Sequence, residues 1–309
     1  MVALFEGAVV RFGIVEVGST NTKACVYDDG KLVDLGSRFI AFKNGYAAEG
    51  KLRESDVVEL FDFVKEVQGE VGEVFVFGTS IFRKIGEEEL GEFSGRMREE
   101  LGVEFRVVSA DEESMYTVKS VMSGVDFSGR LAVVIGGGGS TEVAIVEGGE
   151  IVGHFCLDFG AMDITDRFSE LKEDVVRGVE FEEILDYTME RVGEMDVQAE
   201  VLVLAGGDYI YFYETAGYEM ERNELYEDER QPHLLRFEVA DGYDRDVMGR
   251  SLEEIKARDP GNESWWDGAR GMRFCMGAVA RKVGAKYIVP TRINMLVGLA
   301  EELREGMGK

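Results

Sequence analysis

One pattern occurs twice along the chain and constrains its fold more than anything else in it. Arg11–Val17 reads as an apolar strand running into a small-residue loop, Gly18-Ser-Thr-Asn-Thr22. Lys23–Tyr27 returns as a strand, turns at Asp28-Asp29-Gly30, and Leu32–Ile40 makes a third strand. The same order restarts at Leu131–Ile135 and passes through Gly136-Gly-Gly-Gly-Ser-Thr-Glu142. It returns over Val143–Val146, turns at Gly148-Gly149 and closes with Glu150–Leu157. Short β-rich runs broken by Asp-Gly or Gly-Gly are hairpin signals. Both loops contain Gly-Ser-Thr, as Gly18-Ser19-Thr20 and Gly139-Ser140-Thr141. One glycine-rich hairpin alone says little about a ligand. Two on repeated strands point to phosphate, because backbone N–H groups exposed in such turns form anion nests and the hydroxyls add donors. The chain is therefore expected to be α/β, with two similar halves and a cleft carrying a phosphate loop on each wall.

The remaining segments fill in that plan. Ser55–Val67 has helical spacing, with Val57, Val58, Leu60, Phe61 and Val64 on one face. A strand over Val74–Phe77, a helix over Glu88–Leu101, a strand over Phe105–Val108 and a helix over Asp111–Met122 follow. After the second repeat come helices near Thr165–Leu171 and Phe181–Val192, then a strand, Val201–Leu204, running into Ala205-Gly206-Gly207-Asp208. Gly217–Gly249 is polar without a clear period and reads as an irregular surface excursion. Trp265–Val283 reads as helix, Lys286–Val289 as strand and Asn294–Met307 as a closing helix. The expected halves are residues 1–124 and 125–298, with the helix near 299–309 packing back on the first.

Charge excludes several functions. Lys plus Arg total 34 against 61 Asp plus Glu, a formal net charge of −27. Binding to nucleic acid or to an anionic membrane surface needs the opposite sign. Three cysteines stand far apart without a CxxC pair, and the two histidines cannot make a multi-histidine metal site. Met1–Val10 has no basic leader, and Glu6 interrupts its apolar run, so it is not read as a signal peptide. The expected location is the cytoplasm.

Several motifs, in order along the chain, resemble the exopolyphosphatase/guanosine-pentaphosphatase (Ppx/GppA) family of the actin-like ATPase superfamily, in its short two-domain form. Gly137-Gly-Gly-Ser-Thr-Glu142, Leu157-Asp-Phe-Gly160-Ala161 and Thr165-Asp166-Arg167-Phe168 resemble the family's Asp-Ile-Gly-Gly-Gly-Ser-Thr-Glu, Leu-Pro-Leu-Gly-Ala and Thr-Glu-Arg-Phe. Thr79-Ser80-Ile81-Phe82-Arg83 resembles Thr-Ser-Ala-Leu-Arg, and Val107-Val-Ser-Ala-Asp-Glu112-Glu113 resembles Val-Ile-Ser-Gly-x-Glu-Glu. Ala205-Gly206-Gly207 resembles the late Gly-Gly-Thr loop, and Ala285 to Gly298 the family's closing segment.

The resemblance implies two ribonuclease-H-like domains with a cleft between them, and phosphate release from polyphosphate or a guanosine penta- or tetraphosphate. It implies Glu112 as general base, with Glu142 helping to organise metal and water. Phosphate would lie against Gly18, Ser19, Thr20 and Asn21 on one side and Gly137, Gly138, Gly139, Ser140 and Thr141 on the other. Gly206 and Gly207 would add to the binding loops, and Lys23 and Arg83 are the candidate cations. Arg83 suits phosphate through its bidentate guanidinium. The implied cofactor is magnesium or manganese, held by Glu16 and Glu142, with Asp208 as a substitute ligand. The implied partners are polyphosphate or a phosphorylated guanosine nucleotide, with no nucleic acid and no membrane, and a homodimer is the assembly to consider.

The departures point elsewhere. Each loop of the family opens with Asp, where this chain has Glu16 and Ile135; Asp208 stands for the late Thr, and Arg270-Gly271-Met272 for Arg-Ala-Asp. Isoleucine cannot ligate magnesium, which takes oxygen. A relative that binds without hydrolysing is thus a second reading. The first loop, Glu16-Val-Gly-Ser-Thr-Asn-Thr-Lys23, also resembles that of ATPases that reactivate enzymes, a third. Plainer readings stand beside each residue. Carboxylates such as Glu112 and Glu113 suit any helix N-terminus, and Lys23 and Arg83 suit any solvated surface.

Overall fold

The structure, a computed structural model, describes residues 11–123, 125–261 and 263–307. Met1–Val10, read above as no leader, lies outside the described residues. The chain divides into two compact units. One holds the chain up to Glu113 and the stretch from Leu296; the other is Ser114–Met295.

In the first unit, β1 (Arg11–Val17), β2 (Thr22–Asp28) and β3 (Lys31–Arg38) form an antiparallel meander. Helices α1 (Phe42–Glu49) and α2 (Glu54–Val71) lead to β4 (Val74–Gly78), and α3 (Glu87–Leu101) leads to β5 (Phe105–Val107). Both added strands run parallel to β1, in the order β3-β2-β1-β4-β5. Val15, Val17, Val74 and Val76 share a core with Leu60, Phe61 and Val64 of α2. Val58, expected on that apolar face, is 48% exposed. It neighbours Val57 in sequence and points about 100° away from it around the helix.

The unit boundary falls within α4 (Ala110–Met122). The second unit repeats the meander with β6 (Arg130–Gly136), β7 (Thr141–Glu147) and β8 (Glu150–Leu157). After α5 (Ala161–Arg167) and α6 (Phe181–Val192) come β9 (Val201–Ala205), α7 (Tyr209–Ala216), β10 (Glu221–Arg222), β11 (His233–Arg236) and α8 (Phe237–Gly249). Then follow α9 (Leu252–Lys256), α10 (Ala269–Val283) and β12 (Tyr287–Pro290), and α11 (Leu296–Met307) closes on β1 of the first unit. The sheet order is β10-β11-β12-β9-β6-β7-β8. Its central strands are buried on both faces. Ala132, Val134, Leu202 and Leu204 pack on one side. Val133, Ile135, Val203 and Ala205 pack on the other. Double burial makes these strands read as unbroken apolar runs.

Helices α1, α7 and α9 stand where no element was expected, and two further segments differ from the reading given them. The helix near Thr165–Leu171 begins earlier, as α5, and breaks before a 3-10 turn at Ser169–Lys172. The excursion Gly217–Gly249 contains two short strands and the whole of α8. That helix was hidden by its own core. Its buried positions, Ala240, Asp244, Val247 and Met248, are helically spaced, but one is an aspartate. Asp244 is buried because Arg273 of α10 donates to it at 2.6 Å. Among the described residues, no helix is long and apolar enough to cross a membrane.

Candidate active site

Both glycine loops are built the same way. The N–H of Gly18 donates to the carbonyl of Asn21 at 2.9 Å, and that of Gly137 to the carbonyl of Ser140 at 3.0 Å. Gly18 and Gly137 thus use their N–H groups to close the loops. The second loop is further clamped by α5, whose Ala161 and Met162 N–H groups donate to the carbonyls of Gly137 and Gly138 at 3.0 and 2.9 Å. A Cβ on Gly160 would lie 2.3 Å from the Gly137 carbonyl oxygen, so only glycine permits this approach. Thr141 donates its hydroxyl to the Phe159 carbonyl at 3.1 Å and is fully buried.

The residues flanking the loops differ. In the first unit Glu16 stands opposite Lys23 across β1 and β2. Its Oε2 is buried without a hydrogen-bond partner. Burial raises its pKa above the usual carboxylate value; Lys23 opposes that rise and Glu113 adds to it. In the second unit the matching pair is Ile135 and Glu142, and Cys156 of β8 lies next across the sheet from Glu142. Ile135 is 3% exposed within an apolar cluster that includes Val133, Val203 and Ala205. A Cβ on Gly206, itself at φ +86°, would touch Ile135 at 2.8 Å. Glu142 is equally buried.

Near the first loop the sequence-assigned base is engaged. Glu112 accepts from the Ser109 N–H at 2.9 Å, while the Glu112 N–H donates to the Ser109 hydroxyl oxygen at 3.2 Å. This Ser-x-x-Glu arrangement is a capping box. Arg106 donates to the other carboxylate oxygen. The Ser109 bond and Arg106 hold the Glu112 pKa below its ordinary value against the effect of burial. Its neighbour Glu113 pairs instead with Arg83 at 2.7 Å, with the two side chains 15% and 20% exposed. Arg83 also donates to the Val108 carbonyl at 3.3 Å. Sequence reasoning named Arg83 but not its partner. The signal was the doubled Glu, and a helix turns adjacent residues about 100° apart, so the two could not share one role.

Asp208 caps α7 by accepting from the Tyr211 N–H at 2.8 Å, and the same oxygen takes Arg292 at 3.1 Å. Gly207 sits beside it, and Gly206 donates to the Ile293 carbonyl at 2.8 Å. Glu16 offers one donor to a hard divalent cation, its orphaned oxygen being the type of ligand such an ion takes. Ile135 offers none.

Known proteins share the family and the fold of this chain. Residues 17–221 match the model of the Ppx/GppA phosphatase family. No curated protein matches by sequence. The Aquifex aeolicus member of the Ppx/GppA family is similar in structure, with 18% identity, a TM-score of 0.76, and 96% of this chain and 99% of that one covered. An exopolyphosphatase from Cytophaga hutchinsonii gives 17% identity, a TM-score of 0.76, and coverage of 96% and 98%. At these identities the structures share the fold, the actin-like ATPase fold of two α/β domains. With the family model matching two thirds of it, the chain belongs to the Ppx/GppA phosphatase family.

Proposed function

We propose that the chain is a phosphoanhydride hydrolase that releases phosphate from polyphosphate or from a guanosine penta- or tetraphosphate by attack of water. The observation that carries this reading is the set of groups around the first loop: Glu16, one of whose carboxylate oxygens is buried and accepts no hydrogen bond, and the Arg83–Glu113 pair. Phosphoryl transfer asks for phosphate cradling, neutralised charge and an oriented water. In the first unit the N–H groups of Ser19, Thr20 and Asn21 are the candidate donors to phosphate oxygens, and in the second unit those of Gly138, Gly139 and Ser140. Gly18, Gly137, Gly206 and Gly207 shape the loops, and Thr141 anchors one of them. Lys23 and Arg83 supply positive charge.

A phosphate oxygen competes with Glu113 for the Arg83 guanidinium. Glu113 is then released to accept the proton of the attacking water. We therefore assign the base to Glu113, with Glu112 fixing the helix start that carries it. Magnesium or manganese, when bound, neutralises phosphoryl oxygens; Glu16 would hold it, and Glu142 is the acid available in the second unit. Asp208 is committed to its helix cap. The net charge of −27 repels a long polyanion, so a nucleotide or short oligophosphate is the favoured substrate.

The test is phosphate release from tripolyphosphate and guanosine pentaphosphate with magnesium or manganese, for the wild type, Glu113→Gln and Glu112→Gln. No release, or release unchanged in both variants, refutes the reading. The apolar packing of Ile135 favours a second one, a binder without turnover. It predicts calorimetric binding of the same compounds with no phosphate released, and absence of binding removes it.

A further inference from the structure

Among the described residues, two other than glycine have positive φ: Asp29 at +44° and Ser80 at +50°. Asp29 lies in the Asp28-Asp29-Gly30 hairpin turn, where that conformation is ordinary. Ser80 has no hairpin around it. It follows β4 and opens a 3-10 turn, Ser80–Arg83. Left-handed backbone is uncommon for serine, and it persists where surrounding structure holds it, often at functional sites.

The surroundings are specific. The Thr79 N–H donates to the Val17 carbonyl at the end of β1, at 3.0 Å. The Ser19 hydroxyl donates to the Ser80 hydroxyl oxygen at 2.8 Å. Ser19 is 8% exposed, and its carbonyl accepts from the Lys43 N–H at 2.9 Å. Three residues beyond Ser80 stands Arg83, paired with Glu113. One residue in an unusual conformation thus joins the first loop to the guanidinium and the carboxylate. The second loop is fastened differently, by the two N–H groups of α5.

We infer that Ser80 is a positioning residue, whose left-handed backbone and hydroxyl hold the first loop, through Ser19, in place against Arg83. The inference rests on the hydrolase reading for its kinetic consequence but not for its structural one. Ser80→Ala removes the hydroxyl and keeps the unfavourable backbone; Ser80→Gly removes both. Each should lower kcat for phosphate release by roughly 10–100-fold, with a smaller change in KM, as expected when reacting groups are displaced. Ser80→Gly should melt at or above the wild-type temperature, because glycine adopts this φ without strain. Ser19→Ala should match Ser80→Ala, and the double variant should be no worse than either alone, the mark of one shared interaction.

Amide hydrogen exchange on the same variants reads the coupling without any activity. The amides of residues 18–21 should exchange faster in both Ser80 variants. Full kcat in Ser80→Gly, or effects of Ser19→Ala and Ser80→Ala that simply multiply, would overturn the inference. If the wild type releases no phosphate, the hydrolase reading fails by itself. Unchanged exchange at residues 18–21 in both Ser80 variants then overturns the positioning role, and faster exchange upholds it.

Discussion

The two glycine loops share a backbone and differ in chemistry. Each is closed by the same hydrogen bond, and each stands between strands paired in the same register. In the first, the acid lies on the incoming strand, as Glu16, with Lys23 facing it. In the second, the incoming strand carries Ile135, and the acid lies on the outgoing strand, as Glu142. A repeat preserves the turn because backbone closure and glycine contacts demand it. Nothing in the turn fixes which neighbouring position carries charge. The lost acid of the second loop is therefore a local substitution, and the first loop keeps an unpartnered oxygen.

The strongest way to break this contrast is at the first loop's carboxylate neighbours. Glu113→Gln should lower phosphate release by roughly 10²–10⁴-fold, the usual share of a general base, with the melting temperature little changed. Making the second loop resemble the first is the next test. Ile135→Asp places a charge among Val133, Val203 and Ala205, and should cost about 3–5 kcal/mol in chemical denaturation. A smaller effect, recovered by magnesium, would mean that the second loop accepts a metal after all.

The fastening of the loops gives a finer comparison. Gly160→Ala forces a contact of 2.3 Å with the Gly137 carbonyl and should cost about 2–3 kcal/mol. Gly18→Ala meets Asn21 at 2.8 Å within its own loop, and about 1 kcal/mol is expected. Thermal melts of the two variants decide the order. Glu112→Gln should cost about 0.5–1 kcal/mol through its capping box, and leave turnover within a few-fold of the wild type.

The meanders were legible in the sequence because short apolar runs and glycine turns are local signals. Both ends of β1 and β8 fall where the residues place them, and β6 runs one residue further at each end. Helix α8 was not, because Asp244 interrupts its apolar stripe and only Arg273, distant in sequence, explains its burial. Helix α7 was not either, since Tyr209, Ile210, Phe212 and Tyr213 are all buried and leave no polar face to mark a period. At the site, residue types and loops could be read, but not which of Glu112 and Glu113 is engaged in capping. That distinction depends on Ser109, Arg106 and Arg83 meeting them in space.

Glu16 offers a pH test with a definite sign. Burial raises its pKa above 4.5 in the folded chain, so the folded state binds this proton more tightly than the unfolded one. Stability from this group is then present at low pH and falls as pH rises from the unfolded value through the raised one. Glu16→Gln should melt above the wild type at neutral pH, with the gap closing as pH falls toward 4.5. A constant gap would mean that Glu16 is not buried as a carboxylate.

The most direct measurement is manganese binding, followed by calorimetry or by the loss of free-ion paramagnetic resonance, in the wild type, Glu16→Gln and Ile135→Ala. The account predicts binding by the wild type and Ile135→Ala, and at least tenfold weaker binding by Glu16→Gln, as for loss of a charged ligand. Wild-type affinity in Glu16→Gln would contradict it.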